Sequence, residues 1–161
     1  MFGWMDTKSS VMRILAENTG PIDLSMPKVA FTLPICAEYD RILKNNAGGA
    51  AGFFLRFENI FGTEHCPNFD IHLISDSQSS GFIHLGAVSL FGIRPKSSNN
   101  LHGTAQSVSI RESTGYLISE TLQKSNQLSL ILVARAPLPE GASAVIETIY
   151  LCGELRCRSF F

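Results

Sequence analysis

The sequence predicts a mainly β, antiparallel sandwich with one or two short helices. Apolar and polar residues alternate in several short segments, and clusters of Gly, Pro, Asn or Ser separate these segments. Strands do not alternate regularly with helices, as a parallel sheet would require. A length of 161 residues fits one domain that can build its core without disulfides or metals.

The N-terminal part of the chain is predicted as an arm over residues 1–27, followed by a single sandwich domain over 28–161. Partly helical spacing near Val11 and Leu15 suggests a short helix within residues 1–20. Period-two spacing across Pro27 predicts an edge strand. The remaining predicted elements are a helix from Cys36 to Asn45–Asn46, strands at 53–60, 68–75, 82–91 and 106–111, a helix at 113–122, and strands at 128–134 and 144–151.

Alternation within these strands also predicts the core, because successive side chains of a strand point to opposite faces of the sheet. Twelve residues are expected to be mostly buried: Phe53, Leu55, Phe57, Phe69, Ile71, Leu73, Val88, Leu90, Leu130, Leu132, Ile146 and Ile149.

Composition excludes several classes of partner. Thirteen Lys and Arg residues balance fourteen Asp and Glu residues, and no basic block is present, so neither nucleic acid nor an anionic membrane is expected to bind. Apolar runs are too short to span a bilayer. No secretory signal is visible, so a cytoplasmic location is predicted, with free thiols at the four cysteines. These cysteines are Cys36, Cys66, Cys152 and Cys157.

No cofactor or catalytic residue is predicted. A blue-copper site needs Cys, His and Met close together, but here the last histidine, His102, precedes Cys152, and all methionines are N-terminal. No Gly-x-Ser-x-Gly motif is present. Three histidines remain weak candidates for metal ligands, namely His65, His72 and His84. Two of them, His72 and His84, would face each other if their strands were neighbours, and the alternative is that they are hydrogen-bonded residues of a polar sheet face.

Three segments carry a resemblance to a known family. They read FFLRFENI at 53–60, NFDIHL at 68–73 and HLGAVSLFG at 84–92. In this order they resemble strands of the C-terminal domain that follows the catalytic domain in bacterial tyrosinases and plant polyphenol oxidases. The resemblance implies a cupredoxin-like or jelly-roll sandwich that binds no metal itself and packs over the dicopper site of the catalytic domain.

The function expected from this resemblance is that of a non-catalytic accessory module. It would dock on a copper-containing oxidase catalytic domain and shield its entrance or assist its maturation. Leu101 and His102, in the loop 95–105, and Trp4, in the arm, are the expected contacts. The alternative is a free-standing sandwich that binds or transforms a small molecule, as a binding protein or a cyclase-like enzyme. A cavity lined by Phe and His would favour this alternative, and an apolar patch at one end would favour docking.

Overall fold

The computed structural model describes residues 8–18, 20–45, 50–75 and 81–158, with the backbone alone for 8–11, 45 and 156–158. Within these residues the chain forms nine strands and two helices. In chain order they are β1 (Lys8–Glu17), β2 (Ile22–Asp23), β3 (Lys28–Pro34), α1 (Ala37–Asn45), β4 (Ala50–Gly62), β5 (Phe69–Ile74), β6 (Phe82–Val88), β7 (Thr104–Ser109), α2 (Glu112–Lys124), β8 (Gln127–Ala134) and β9 (Ala144–Arg158).

The strands form two antiparallel sheets that pack as a sandwich, which confirms the predicted fold class. One sheet has the order β1-β9-β4-β7, with the short strand β2 also paired to β9. The other has the order β3-β8-β5-β6. Strand β3 therefore lies at an edge, as Pro27 predicts, since proline cannot donate to a ladder of hydrogen bonds.

The core lies between the two sheets and contains all twelve residues predicted to be buried. In β5 the buried residues Phe69, Ile71 and Leu73 alternate with half-buried ones, as a strand with one core face requires. The packing is close at Gly153, where a Cβ atom would lie 2.9 Å from Leu15 Cδ1 and 3.0 Å from Phe53 Cδ1.

The prediction of a short helix within residues 1–20 is wrong. Lys8–Glu17 is a strand that pairs with the last strand of the chain, from Lys8 opposite Arg158 to Glu17 opposite Tyr150. Asn18 continues this attachment, because its Oδ1 accepts a 2.7 Å hydrogen bond from the Ile149 amide. The division into an arm and a domain at residue 27 stays a prediction.

Helices α1 and α2 confirm the two helical predictions. Lys44, in the last turn of α1, joins the helices: its Nζ donates to the carbonyl oxygens of Leu122 at 3.2 Å and Ser125 at 2.7 Å, and to Asp40 Oδ1 at 2.9 Å. A cation at these carbonyls satisfies acceptors that have no partner within α2. No helix in the described part of the chain is long and apolar enough to cross a membrane.

Candidate functional site

Four loops meet at one end of the sandwich, which we call the loop end. The strand ends that these loops connect lie side by side within each sheet. In the five-stranded sheet Gly62 lies opposite Ala144 and Ile60 opposite Thr104. In the four-stranded sheet Phe69 lies opposite both Val88 and Ala134. The loop end comprises residues 24–27, 63–68, 89–103 and 135–143. Backbone hydrogen bonds join these segments to one another and to the strand ends, including Gly62 to Arg94 and Arg135 to Asn68.

The turn after β6 exposes an aromatic ring. Leu90 and Ile93 are buried, whereas Phe91 between them is 93% exposed. The backbone of this turn is held by side chains: Asn68 Oδ1 accepts from the Leu90 amide at 3.0 Å, and Gln106 Oε1 accepts from the Ser89 amide at 2.7 Å. The ring of Phe91 therefore projects into solvent from a turn whose two preceding residues are fixed by side chains.

The rest of the loop presents Leu101 and His102, the contacts predicted from the sequence. Ser97 and Asn100 exchange backbone hydrogen bonds, and the Asn100 side chain donates to the Arg94 and Pro95 carbonyls. Leu101 is 58% exposed beyond this turn, and His102 is also exposed. Met26, 62% exposed, lies in another segment of the loop end.

Lys96 fixes the same loop to the five-stranded sheet. Its Nζ lies 3.1 Å from Glu147 Oε2 and 5.3 Å from the centroid of the Phe61 ring. A shallow groove of about 300 Å³ runs beside these residues. The loop that carries the exposed side chains of Phe91 and Leu101 therefore also carries the charge of Lys96.

His65 lies in the segment 63–68 of the loop end. His65 occupies the turn after β4 with φ of 69°, and its side chain is largely exposed, 3.9 Å from Glu64. Trp4 lies outside the described residues.

His72 and His84 lie opposite each other on the outer face of the four-stranded sheet, with ring centroids 5.3 Å apart. Asp70 Oδ1 is 3.0 Å from His84 Nε2 and accepts from Arg135 Nε at 3.0 Å. Burial acts to raise the pKa of Asp70, but the hydrogen bonds from His84 and Arg135 outweigh it, and the pKa lies below its ordinary value. Burial and then the charge on His84 lower the pKa of His72.

No group of three or more His, Cys, Asp and Glu side chains in the described ranges has the arrangement of a metal site. Of the four cysteines, the described side chains are those of Cys36, Cys66 and Cys152, and all three are free thiols. Burial raises the pKa of the Cys152 thiol.

A second concave surface lies beside α2. This groove has a volume of about 700 Å³ and a floor of small and apolar residues that includes Phe53. The carboxylates of Glu112, Glu120 and Glu154 line it together with Tyr116. Glu120 is paired with Lys124 at 3.4 Å.

Comparison with known proteins places the chain in a family. Residues 12–153 match a domain of unknown function, DUF7868. The chain belongs to this family. Among curated proteins none matches this DUF7868 domain. Fourteen chains of solved structures match it. One is latent apple tyrosinase, with 16% identity and a TM-score of 0.44. The match covers 83% of this chain and 27%, about a quarter, of the tyrosinase chain.

Two residues at the surface of the DUF7868 domain were missed by the sequence analysis. The predicted strand 82–91 includes Phe91, although the glycine that follows the apolar run Val88-Ser-Leu-Phe indicates a turn there. Arg135 gave none, because its partner Asp70 lies 65 residues earlier in the chain.

Proposed function

We propose that this DUF7868 domain is a non-catalytic interaction module, which docks by its loop end onto a copper-containing phenol oxidase catalytic domain and shields its entrance. The observation that carries the proposal is the exposure of Phe91 between buried Leu90 and Ile93. Transferring such a ring from water into a partner's pocket would contribute about 1.5–3 kcal/mol.

The surroundings of Phe91 also suit an interface. Met26 and Leu101 add exposed apolar surface at the same end, and Arg94 and Lys96 supply exposed charges. Binding hot spots commonly consist of an aromatic anchor within a polar border. Because the turn is already held by Asn68 and Gln106, little ordering would be required on docking.

The choice of partner rests on the resemblance of three segments to the domain that accompanies tyrosinase and polyphenol oxidase catalytic domains. The third of these segments, 84–92, ends with Phe91 and Gly92. The part of the sequence that carries the resemblance therefore includes the turn that exposes the aromatic ring.

A direct test is the affinity of the purified chain for a purified tyrosinase-type catalytic domain, measured by surface plasmon resonance. Phe91→Ser should weaken binding about 10- to 100-fold, because about 1.4 kcal/mol corresponds to a factor of ten. Leu101→Ala and His102→Ala test the two contacts predicted from the sequence. Phe82→Ser is the matched control, since Phe82 is a half-exposed phenylalanine paired with Ile74 at the opposite end of the sheet. Absence of binding by the wild type, or equal effects of Phe91→Ser and Phe82→Ser, would contradict the proposal.

The groove beside α2 supports a second candidate, the binding or conversion of a small molecule. Its volume lies in the range of known ligand pockets, and it combines polar groups with an apolar floor. Phe53 lines it, but no histidine of the described ranges does. Ligand-observed NMR of a small-molecule library should then give hits that Tyr116→Ala and Glu154→Gln abolish. Hits unaffected by both variants, or none at all, would remove support for this candidate.

A further inference from the structure

The pairing of His72 with His84 is produced by a β-bulge. From Phe69 to Ile71 each residue of β5 pairs in regular register with β6, and Ile71 lies opposite Gly86. The register then shifts, so that His72 lies opposite His84 instead of Leu85. Leu85 consequently turns into the core, where it is buried. Bulges commonly re-aim side chains in this way.

Glycine makes this bulge possible. Gly86 has a φ of 153°, which side-chain-bearing residues rarely adopt, and a Cβ atom there would lie 2.7 Å from Val108 Cγ1. The bulge thus depends on a particular residue and brings two imidazoles side by side on the outer surface of the sheet, with an angle of 63° between the ring planes.

The two rings have the spacing of ligands to one ion. Their centroids are 5.3 Å apart, and the side chain of His84 is 53% exposed. Two imidazoles bound to one tetrahedral ion, with metal–nitrogen distances of about 2.0–2.1 Å, place their centroids about 5 Å apart. The separation of the two rings is therefore compatible with a shared ion.

Asp70 and Arg135 orient one of these ligands. When neutral His84 donates its Nε2 hydrogen to Asp70 Oδ1, at 3.0 Å, its Nδ1 keeps a free lone pair. Arg135 holds the same carboxylate oxygen at 3.0 Å. A carboxylate that fixes the tautomer of a metal-ligating histidine is a common feature of metal sites.

We propose that His72 and His84 bind a divalent transition-metal ion of the kind that favours imidazole, such as Zn²⁺ or Ni²⁺, with Asp70 as a positioning residue. Water completes the coordination, since the described structure adds no third protein ligand. The two histidines lie within strands β5 and β6, outside the loop end, and the proposal does not depend on the proposed docking function.

Isothermal titration of the full chain with NiCl₂ or ZnCl₂ near pH 7.5 tests the site. The wild type should bind one equivalent, and His72→Gln or His84→Gln should weaken binding at least about 10-fold. The chain supplies matched controls, His65→Gln and His102→Gln, which should bind as the wild type does. Unchanged binding by His72→Gln, or an equal loss in His65→Gln, would overturn the proposal.

Asp70→Asn separates positioning from ligation. It should weaken binding about 10-fold while the stoichiometry stays at one, and an affinity equal to that of the wild type would overturn the role of Asp70. A further test uses the wild type alone and therefore does not depend on whether a variant folds. In proton NMR with Zn²⁺, the imidazole signals of two of the four histidines should shift and saturate at one equivalent, whereas equal shifts of all four would contradict the site.

Discussion

Phe91→Ala should leave the free energy of unfolding almost unchanged, although it removes an entire aromatic ring. At 93% exposure, only about 15 Å² of the roughly 200 Å² of this side chain is covered. At about 25 cal/mol per Å² the loss is roughly 0.4 kcal/mol. Its neighbour Leu90 is 2% exposed, and Leu90→Ala should cost about 2–5 kcal/mol.

Urea denaturation followed by circular dichroism measures both variants under the same conditions. The expected pattern is a midpoint near that of the wild type for Phe91→Ala and a clearly lower one for Leu90→Ala. A loss above about 1 kcal/mol for Phe91→Ala would show that the ring packs on its own domain, and it would refute the reasoning that Phe91 is available to a partner.

Three further predictions concern packing, capping and thiol reactivity. Lys44→Met should lower the free energy of unfolding by about 1–3 kcal/mol in urea melts, because carbonyls at the end of α2 lose a charged donor. The control Lys124→Met, at an exposed lysine, should change it by less than about 0.5 kcal/mol. Equal effects of the two variants would contradict the role of Lys44. Gly153→Ala should lower the free energy of unfolding by about 1–3 kcal/mol, because the added methyl group would overpack the core. Gly20→Ala is the control, since nothing lies within 4 Å of a Cβ atom there. Equal melting temperatures for these two variants would contradict the close packing at Gly153. Burial raises the pKa of the Cys152 thiol, so its alkylation at pH 8 should be slower than that of a free thiol and should accelerate as the pH rises. Mass spectrometry of iodoacetamide-treated protein would contradict this if Cys152 were labelled as fast as a free thiol.

Local patterns predicted most of the fold because most strands have one core face. The alternation in β5 and β8 is visible in the sequence and identifies their buried residues directly. Strand β1 was not predicted, because its partner β9 lies at the other end of the chain and nothing near Val11 indicates the pairing. Only tertiary contact decides between helix and strand in such a segment.

The candidate sites were partly predictable for the same reason. The proximity of His72 and His84 followed from assuming neighbouring strands, but the bulge at Gly86 that aligns them depends on long-range pairing. The exposure of Phe91 could not be predicted, because it depends on a turn that the side chain of Asn68, 22 residues before Leu90, helps to fix. Local periodicity carries no information about such a hydrogen bond.

The most direct test of the docking account is the steady-state activity of a tyrosinase-type catalytic domain titrated with this chain, using a small phenol as substrate. The account predicts that activity falls and levels off at one chain per catalytic domain, and that Phe91→Ser requires about 10- to 100-fold more protein for the same effect. Activity that stays unchanged at saturating wild-type chain, or equal inhibition by Phe91→Ser, would contradict it.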